Sequence, residues 1–348
     1  MTPGSALSSQ HPRTRLLALI NANWTTQAIA TAVRLGVADH LTDLPLSIDA
    51  LAQATGANAG ALHRLLRSLV TLEVAIEPED GCFALGELGS FLRSEAAGSL
   101  SAWAEFCGTG SWAGWEHLYD CVLTGRSARQ LDGGSAGLGF LDEEPQAASL
   151  FHRAMGSLSF AVAESVACTL SFEEVSQVID VGGGTGELIA CLLNAHPALR
   201  GVLHDRAHAA DAARQRLRQA GLSDRCEFVA GDFFDAVPAG GDLYLLKSVL
   251  HDWDDDRART ILTRCRASLR PSARLVLIER LMPQRLRSSD HDRAVVRSDL
   301  NMLVGPGGHE RTEAAYRELL AACGLRVVAV RALVDGFSVM ETQRGACP

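Results

Sequence analysis

The strongest chemical signal in this chain is the run Asp180-Val181-Gly182-Gly183-Gly184-Thr185-Gly186, set between an apolar strand pattern and a helical one. Glycines let a turn tighten and let a ligand approach the backbone where a side chain would clash. A dinucleotide fingerprint would need its third glycine at position 187, which is Glu187. The spacing here is G-x-G-x-G, with Asp180 two residues ahead of the first glycine. An acid there suits a ligand bearing a sulfonium and an amino group, and repels a pyrophosphate. Taken alone, the run also fits a glycine-rich strand-to-helix turn with no ligand. Two more acids follow in order. Asp205 ends the apolar run Val202-Leu203-His204, where a carboxylate can accept from both hydroxyls of a ribose. Asp232 in Gly231-Asp232-Phe233-Phe234 can accept from an adenine amino group while an aromatic neighbour covers the ring. Each acid alone is a common helix cap or solvated residue. Their order makes the set specific.

The elements that position these residues fall into a pattern of short apolar runs alternating with helical ones. From residue 172 onward the expected strands are Val178–Val181, Gly201–His204, Cys226–Val229, Leu243–Lys247, Arg274–Ile278, Leu325–Val330 and Phe337–Met340. Alternation of this kind implies an α/β fold with a doubly wound, mainly parallel sheet. Residues 14–100 differ, with Leu and Ala at helical spacing; Leu16, Leu19 and Ile20, then Ile29, Val33 and Val37, fit one face of successive helices. Ser47 reads as an N-cap and Gly56 as a helix stop. A second helix over about 59–69 leads into Val74–Ile76 and Cys82–Ala84 across the turn residues Pro78, Asp80 and Gly81. Helix, helix, hairpin is winged-helix order. Residues 101–171 carry Trp103, Trp112 and Trp115 and are broken by Gly133-Gly134, which reads as two or more helices around a loop. Residues 1–13 read as a disordered lead-in.

Composition excludes several function classes. The formal net charge is -9, which argues against an extended nucleic-acid footprint. The candidate recognition helix offers only Arg64 and Arg67 as cations. Nine cysteines are scattered without a C-x-x-C pair, so neither a zinc site nor a secreted disulfide framework is expected. No run has the length and purity of a membrane span or the layout of a signal peptide. A cytoplasmic protein with reduced thiols is expected.

Nearly the whole chain resembles the small-molecule O-methyltransferase family of plant phenylpropanoid (caffeate and flavonoid type) and bacterial antibiotic-tailoring enzymes. The likeness rests on DVGGGTG, GDFF, LLKSVLHDWDDDRARTIL, LIERLMP and DLNMLVGPGGHERTEAAYRELL, together with Phe151-His-Arg-Ala-Met155 and the winged-helix-like stretch. It implies a class I methyltransferase domain over 172–348, with a Rossmann-like seven-stranded sheet. It also implies a helical dimerisation domain over 14–100, a substrate-pocket region over 101–171, and a homodimer. The cofactor would be S-adenosylmethionine, leaving S-adenosylhomocysteine. Gly182 and Gly184 would contact its amino-acid part, Asp205 its ribose, Asp232 and Phe233 its adenine. Lys247 matches a position bordering the cofactor, Ser159 one that touches the methionine carboxylate, and Trp253 one that flanks the adenine.

The same resemblance makes His251 the general base, with Glu279 and Glu310 the two acids flanking it. A neutral imidazole near pH 7 can take the proton of a hydroxyl as it attacks a methyl group, provided an acceptor holds its other nitrogen. His309 reads as a loop residue. Asp254, Asp255 and Asp256 read as an acidic helix start favoured by the helix dipole, and no metal is expected. The acceptor would be a small aromatic or polyketide-like metabolite carrying a phenolic or enolic hydroxyl, lined by aromatic and thioether side chains such as Trp115, Phe151, Met155 and Met302, with the loop 304–308. Two other readings remain. One is a relative with changed chemistry: N-methylation, decarboxylation, hydroxylation or ring formation. The other is a ligand-sensing transcription factor built on the winged helix, which the missing basic face disfavours.

Overall fold

A computed structural model describes residues 11–42 and 44–345 of the chain. The expected lead-in lies outside the described residues as far as residue 10; beyond it, Pro12 opens a helix, Pro12–Ile20, as suits proline in a first helical turn. The chain forms two compact units, one ending at Trp112 and the other starting at Ala113. The segment expected as one region over 101–171 is therefore divided between them.

The first unit is a helical array around a small sheet. Helices Ala22–Arg34, Ile48–Thr55 and Ala59–Thr71 surround strands β1 (Leu46–Ser47), β2 (Ala75–Glu79) and β3 (Cys82–Leu85), ordered β1-β3-β2. The caps follow the sequence: Ser47 Oγ accepts from Ala50 N at 3.3 Å, and Gly56 closes the helix at φ 68°. Leu51, Leu62, Leu66, Leu69 and Phe83 form its dry core. Leu16, Leu19 and Ile20, read as sharing one helix face, are exposed at 59%, 70% and 63%, and Trp24 of the next helix is exposed at 67%. The three leucine and isoleucine side chains lie on the helix Pro12–Ile20, which has no buried residue, so helical spacing marked a face without saying what covers it.

The second unit is a doubly wound sheet. Its strands are β4 (Gln177–Val181), β5 (Arg200–Asp205), β6 (Cys226–Ala230), β7 (Leu243–Lys247), β8 (Arg274–Arg280), β9 (Leu325–Ala332) and β10 (Phe337–Arg344). Their order is β6-β5-β4-β7-β8-β10-β9. Strands β4 to β8 pair in parallel, and β10 alone runs antiparallel, between β8 and β9. The central strands read as near-continuous apolar runs because both faces are covered. One face packs Val162, Val166, Leu188, Leu192 and Leu217 against Val178, Leu203 and Leu245. The other packs Ile261, Leu262, Tyr316 and Leu320 against Ile179, Leu246 and Leu277. The single helix Pro145–Thr169 replaces part of the looser helical region expected from the glycines and packs on Glu187–Ala195. Chain order reverses at β4, so the carboxyl ends of β4, β5, β6, β7 and β8 open on one edge, where ligands bind in sheets of this kind. Among the described residues no helix is long and apolar enough to cross a membrane.

Candidate active site

The glycine turn lies at the carboxyl end of β4 and is built by the removal of side chains. Gly182, Gly184 and Gly186 all take left-handed backbone, at φ 70°, 58° and 84°, which a residue with a Cβ adopts only under strain. A Cβ on Gly182 would lie 2.9 Å from Val249 and 3.4 Å from the Phe233 ring. Asp205 grips the turn from β5: its Oδ2 accepts from Gly184 N at 2.7 Å and its Oδ1 from Arg206 N at 2.7 Å. Behind the turn, Asp180 is buried with Oδ2 unpartnered, and burial raises its carboxyl to about 7. Beside β6, Asp232 Oδ1 accepts from Phe234 N at 2.8 Å, and Phe233, Phe234 and Trp253 stack edge to face.

The end of β7 is built in the opposite way, by crowding charges. Lys247 caps the strand with its Nζ 5.2 Å from the Phe337 ring centre, and burial lowers its amine to about 8 against the pull of Glu279 and Asp180. Ser248 follows in left-handed backbone at φ 54°. The short turn Leu250–Asp252 then presents His251, itself buried. His251 Nδ1 lies 3.0 Å from Glu310 Oε1 and 3.8 Å from Glu279 Oε2. Asp252 Oδ1 stands 3.6 Å from Nε2, too far for a hydrogen bond. Glu279 Oε1 accepts from Val249 N and Leu250 N at 3.1 and 3.0 Å. Glu310 Oε1 also accepts from Ser298 Oγ at 2.6 Å.

Burial and charge pull against one another in this cluster. Burial opposes a charge on His251, but Glu279, Glu310 and Asp252 outweigh it and raise the imidazole to about 10. Burial also lifts Glu279 to about 7 and Asp252 to about 6. Burial works against the Glu310 carboxylate too, yet the charge of His251 and the hydrogen bonds from His251 and Ser298 hold it below the ordinary range. Three acids around His251 thus favour its protonated form. An imidazole so placed is a strong proton acceptor once neutral, because the imidazolium it forms is already surrounded by counter-charge.

Two models from known proteins match the chain: an O-methyltransferase domain over residues 115–326 and an O-methyltransferase dimerisation domain over residues 17–94. The chain belongs to the O-methyltransferase family. It is 40% identical over 311 residues to the mitomycin biosynthesis 6-O-methyltransferase of Streptomyces lavendulae, covering 89% of this chain and 88% of that one. It is 36% identical over 328 residues to a phenazine O-methyltransferase of Lysobacter antibioticus, covering 94% and 95%. Among solved structures, an O-methyltransferase from neocarzinostatin biosynthesis, in complex with S-adenosylmethionine and 2-hydroxy-5-methyl naphthoic acid, superposes with a TM-score of 0.75 at 33% identity, covering 92% and 96%. The seven-stranded, mostly parallel sheet described above is the class I methyltransferase fold of this family.

Within that fold, Gly182, Gly184, Asp205 and Phe233 gather at the glycine turn, and His251, Glu279 and Glu310 gather at the end of β7. Ser159 is buried, but its Oγ donates to Met155 O on its own helix at 2.8 Å. His152 and Gly156 of that helix approach the turn: a Cβ on Gly184 would lie 3.9 Å from His152 Nδ1, and one on Gly156 would lie 3.5 Å from Thr185 Oγ1. His152 Nε2 in turn lies 3.0 Å from His208 Nδ1, and burial lowers the His152 imidazole. The run Phe151–Met155 carried that signal, and the sequence alone did not single out its histidine. Trp253 packs on the aromatic pair and against Gly137. Trp115 Nε1 donates to Asn301 Oδ1 at 2.9 Å. Asp254 caps the helix Asp255–Ser268 by accepting from Arg257 N at 2.9 Å, the structural part expected of that acidic run.

Proposed function

We propose that this enzyme transfers a methyl group from S-adenosylmethionine to a phenolic or enolic hydroxyl of a small aromatic or polyketide-like metabolite, with His251 as general base. The observation that carries this reading is the His251–Glu310 hydrogen bond at 3.0 Å, set on the same sheet edge as the glycine turn. The residues present fit the cofactor: a side-chain-free turn at Gly182 and Gly184, an unpartnered buried acid at Asp180 and a fixed acceptor at Asp205. When bound, it supplies an electrophilic methyl group on a sulfonium. Gly182 and Gly184 would hold its amino-acid part, Asp205 its ribose, Asp232 and Phe233 its adenine, with Lys247 and Ser159 at the border.

His251 does the proton work. Glu310 accepts a hydrogen bond from Nδ1–H, which leaves the neutral Nε2 to take the proton of the acceptor's hydroxyl as the oxygen attacks. Glu279 holds the backbone of the His251 turn through two N–H groups and adds negative charge for the imidazolium. Base and alignment suffice for an in-line displacement, so no metal is invoked. His251, Glu279 and Glu310 place ligand-type atoms within 4.8 Å of one another; Oε1 of each acid is engaged as a hydrogen-bond acceptor and Oε2 of each is unpartnered.

The homodimer belongs to the same reading. Its support is the dimerisation-domain match over 17–94 and the exposed stripe of Leu16, Leu17, Leu19, Ile20 and Trp24, a patch that invites a second copy. The enzyme is read as cytoplasmic, with neither nucleic acid nor membrane as partner. Calorimetric titration of S-adenosylhomocysteine, followed by product analysis with hydroxylated aromatic acceptors, tests the function. Binding, with one S-adenosylhomocysteine formed per O-methylated product, supports it; absence of binding to the intact protein overturns it. A product methylated on nitrogen, or a decarboxylated or hydroxylated one, would move the assignment to changed chemistry on the same site.

A further inference from the structure

The turn that presents His251 is held by the segment Gly308–Arg311, and the geometry points to Arg311 as a positioning residue that fixes the base against Glu310. This rests on the reading of His251 as the base, although the positioning itself is measurable without catalysis. Arg311 is 2% exposed, a rare place for a guanidinium unless its donors are matched. All three of its nitrogens are. Nη1 donates to Leu250 O at 2.7 Å, Nη2 to Trp253 O at 2.7 Å, and Nε to Asp255 Oδ1 at 2.9 Å. The two carbonyls lie on either side of His251 and Asp252, so one planar group straps both ends of the turn.

The neighbouring residues of the same segment complete the strap. His309 N donates to His251 O at 2.9 Å, and Glu310 takes His251 Nδ1. A Cβ on Gly308 would lie 2.1 Å from His251 O and 2.6 Å from Trp253 N, so only glycine allows this approach. The segment is anchored from outside the turn as well. Met282 N donates to Arg311 O at 2.9 Å beyond the end of β8, and Glu310 N donates to Asp299 Oδ1 at 2.8 Å from the helix Asp290–Val304. Backbone bonds therefore set the height of the turn, and Arg311 sets its register against Glu310. Lys cannot reproduce this, because an ammonium lacks the planar fork that reaches two carbonyls at once.

The experiment follows the His251 imidazole by NMR in full-length protein carrying labelled histidine, assigned with His251→Gln. The groups facing it are Glu279 from β8, Glu310 from the strap, Asp252 from its own turn, and Lys247 from β7 beyond Asp252. In the wild type the imidazole should titrate well above an ordinary histidine and show a hydrogen-bonded Nδ1 proton. In Arg311→Gln the Nδ1 signal should weaken and the midpoint fall by about one unit, a tenfold change, as Glu310 loses its register. Arg311→Lys should recover only part of this. Asp255→Asn, at a half-exposed residue that meets the guanidinium at Nε and Nη2, gives a second reading if Arg311→Gln fails to fold, with a smaller shift in the same direction. A folded Arg311→Gln or Asp255→Asn protein with an unchanged His251 midpoint and Nδ1 signal overturns the inference. If the shifts appear but His251→Ala retains full turnover of an accepted hydroxyl, the positioning stands and the reading of His251 as base fails.

Discussion

The ends of β4 and β7 are neighbours in the sheet and are built by opposite means. At β4 the site is made by subtraction: three left-handed glycines expose backbone, and Asp205 is pinned by two N–H groups at 2.7 Å. At β7 it is made by accumulation: a histidine and two acids are buried together, with a third acid and a lysine partly buried beside them. An open turn can recognise a cofactor by shape with little electrostatic tension. A crowded turn stores a raised imidazole basicity, which a proton-transfer step can use. On the proposed reading, the first end would bind the cofactor and the second would carry the proton transfer.

This division predicts separable defects. The largest effect belongs to His251→Ala, which should lower kcat by about 10²–10⁴-fold, the usual worth of a general base, while S-adenosylhomocysteine affinity stays near wild type. Equal losses in affinity and kcat would merge the two ends into one. Asp205→Ala should do the reverse. It removes a charged acceptor of two backbone bonds at the turn, and hydrogen bonds to charged groups are worth about 1.5–3 kcal/mol. Affinity by calorimetry should fall by about 10–100-fold, with the His251 titration unmoved.

Glu310→Gln sharpens the contrast through pH. Only the neutral imidazole accepts a proton, so wild-type kcat should rise with pH toward the midpoint of His251, which its acids raise to about 10. Glu310 contributes to that rise by charge and by hydrogen bond. Replacing it with an amide removes stabilisation of the protonated form, so the midpoint must move to lower pH. A kcat–pH profile that stays in place, or moves upward, would mean Glu310 does not act on His251.

The same contrast explains what could be read from the sequence. The glycine turn is a local device: G-x-G-x-G after a strand needs only neighbours in the chain to be recognised, and the sheet followed from the alternation of apolar runs. The base is a long-range device. His251, Glu279 and Glu310 are spread over 60 residues, and nothing in their spacing alone says that they meet; resemblance to a family supplied the pairing. Resemblance did not supply the charge balance, which depends on burial and on Asp252. Arg311 and His152 passed unnoticed for a related reason. A buried arginine or histidine looks like a surface one until its partners are located, here 56 to 61 residues away for both.

The smallest expected effect tests whether subtraction at β4 serves packing as well as binding. Gly183 does not need a left-handed backbone, unlike its neighbours on either side. Its constraint is space, since a Cβ would lie 2.4 Å from Leu203 Cδ1 and 2.6 Å from Asp180 Oδ2. Both contacts are in the core, where neither side chain can swing into solvent. Gly183→Ala should therefore cost about 1–3 kcal/mol of stability, as overpacking generally does, measured by denaturant unfolding monitored in the second unit. At Gly184 a Cβ finds its nearest neighbour at 3.9 Å, but φ is 58°, so Gly184→Ala should act through backbone strain of about 1–2 kcal/mol and through lost approach of the cofactor. A Gly183→Ala protein of wild-type stability would mean that Leu203 and Asp180 yield to the extra methyl. The glycines of this turn would then be there for the ligand alone.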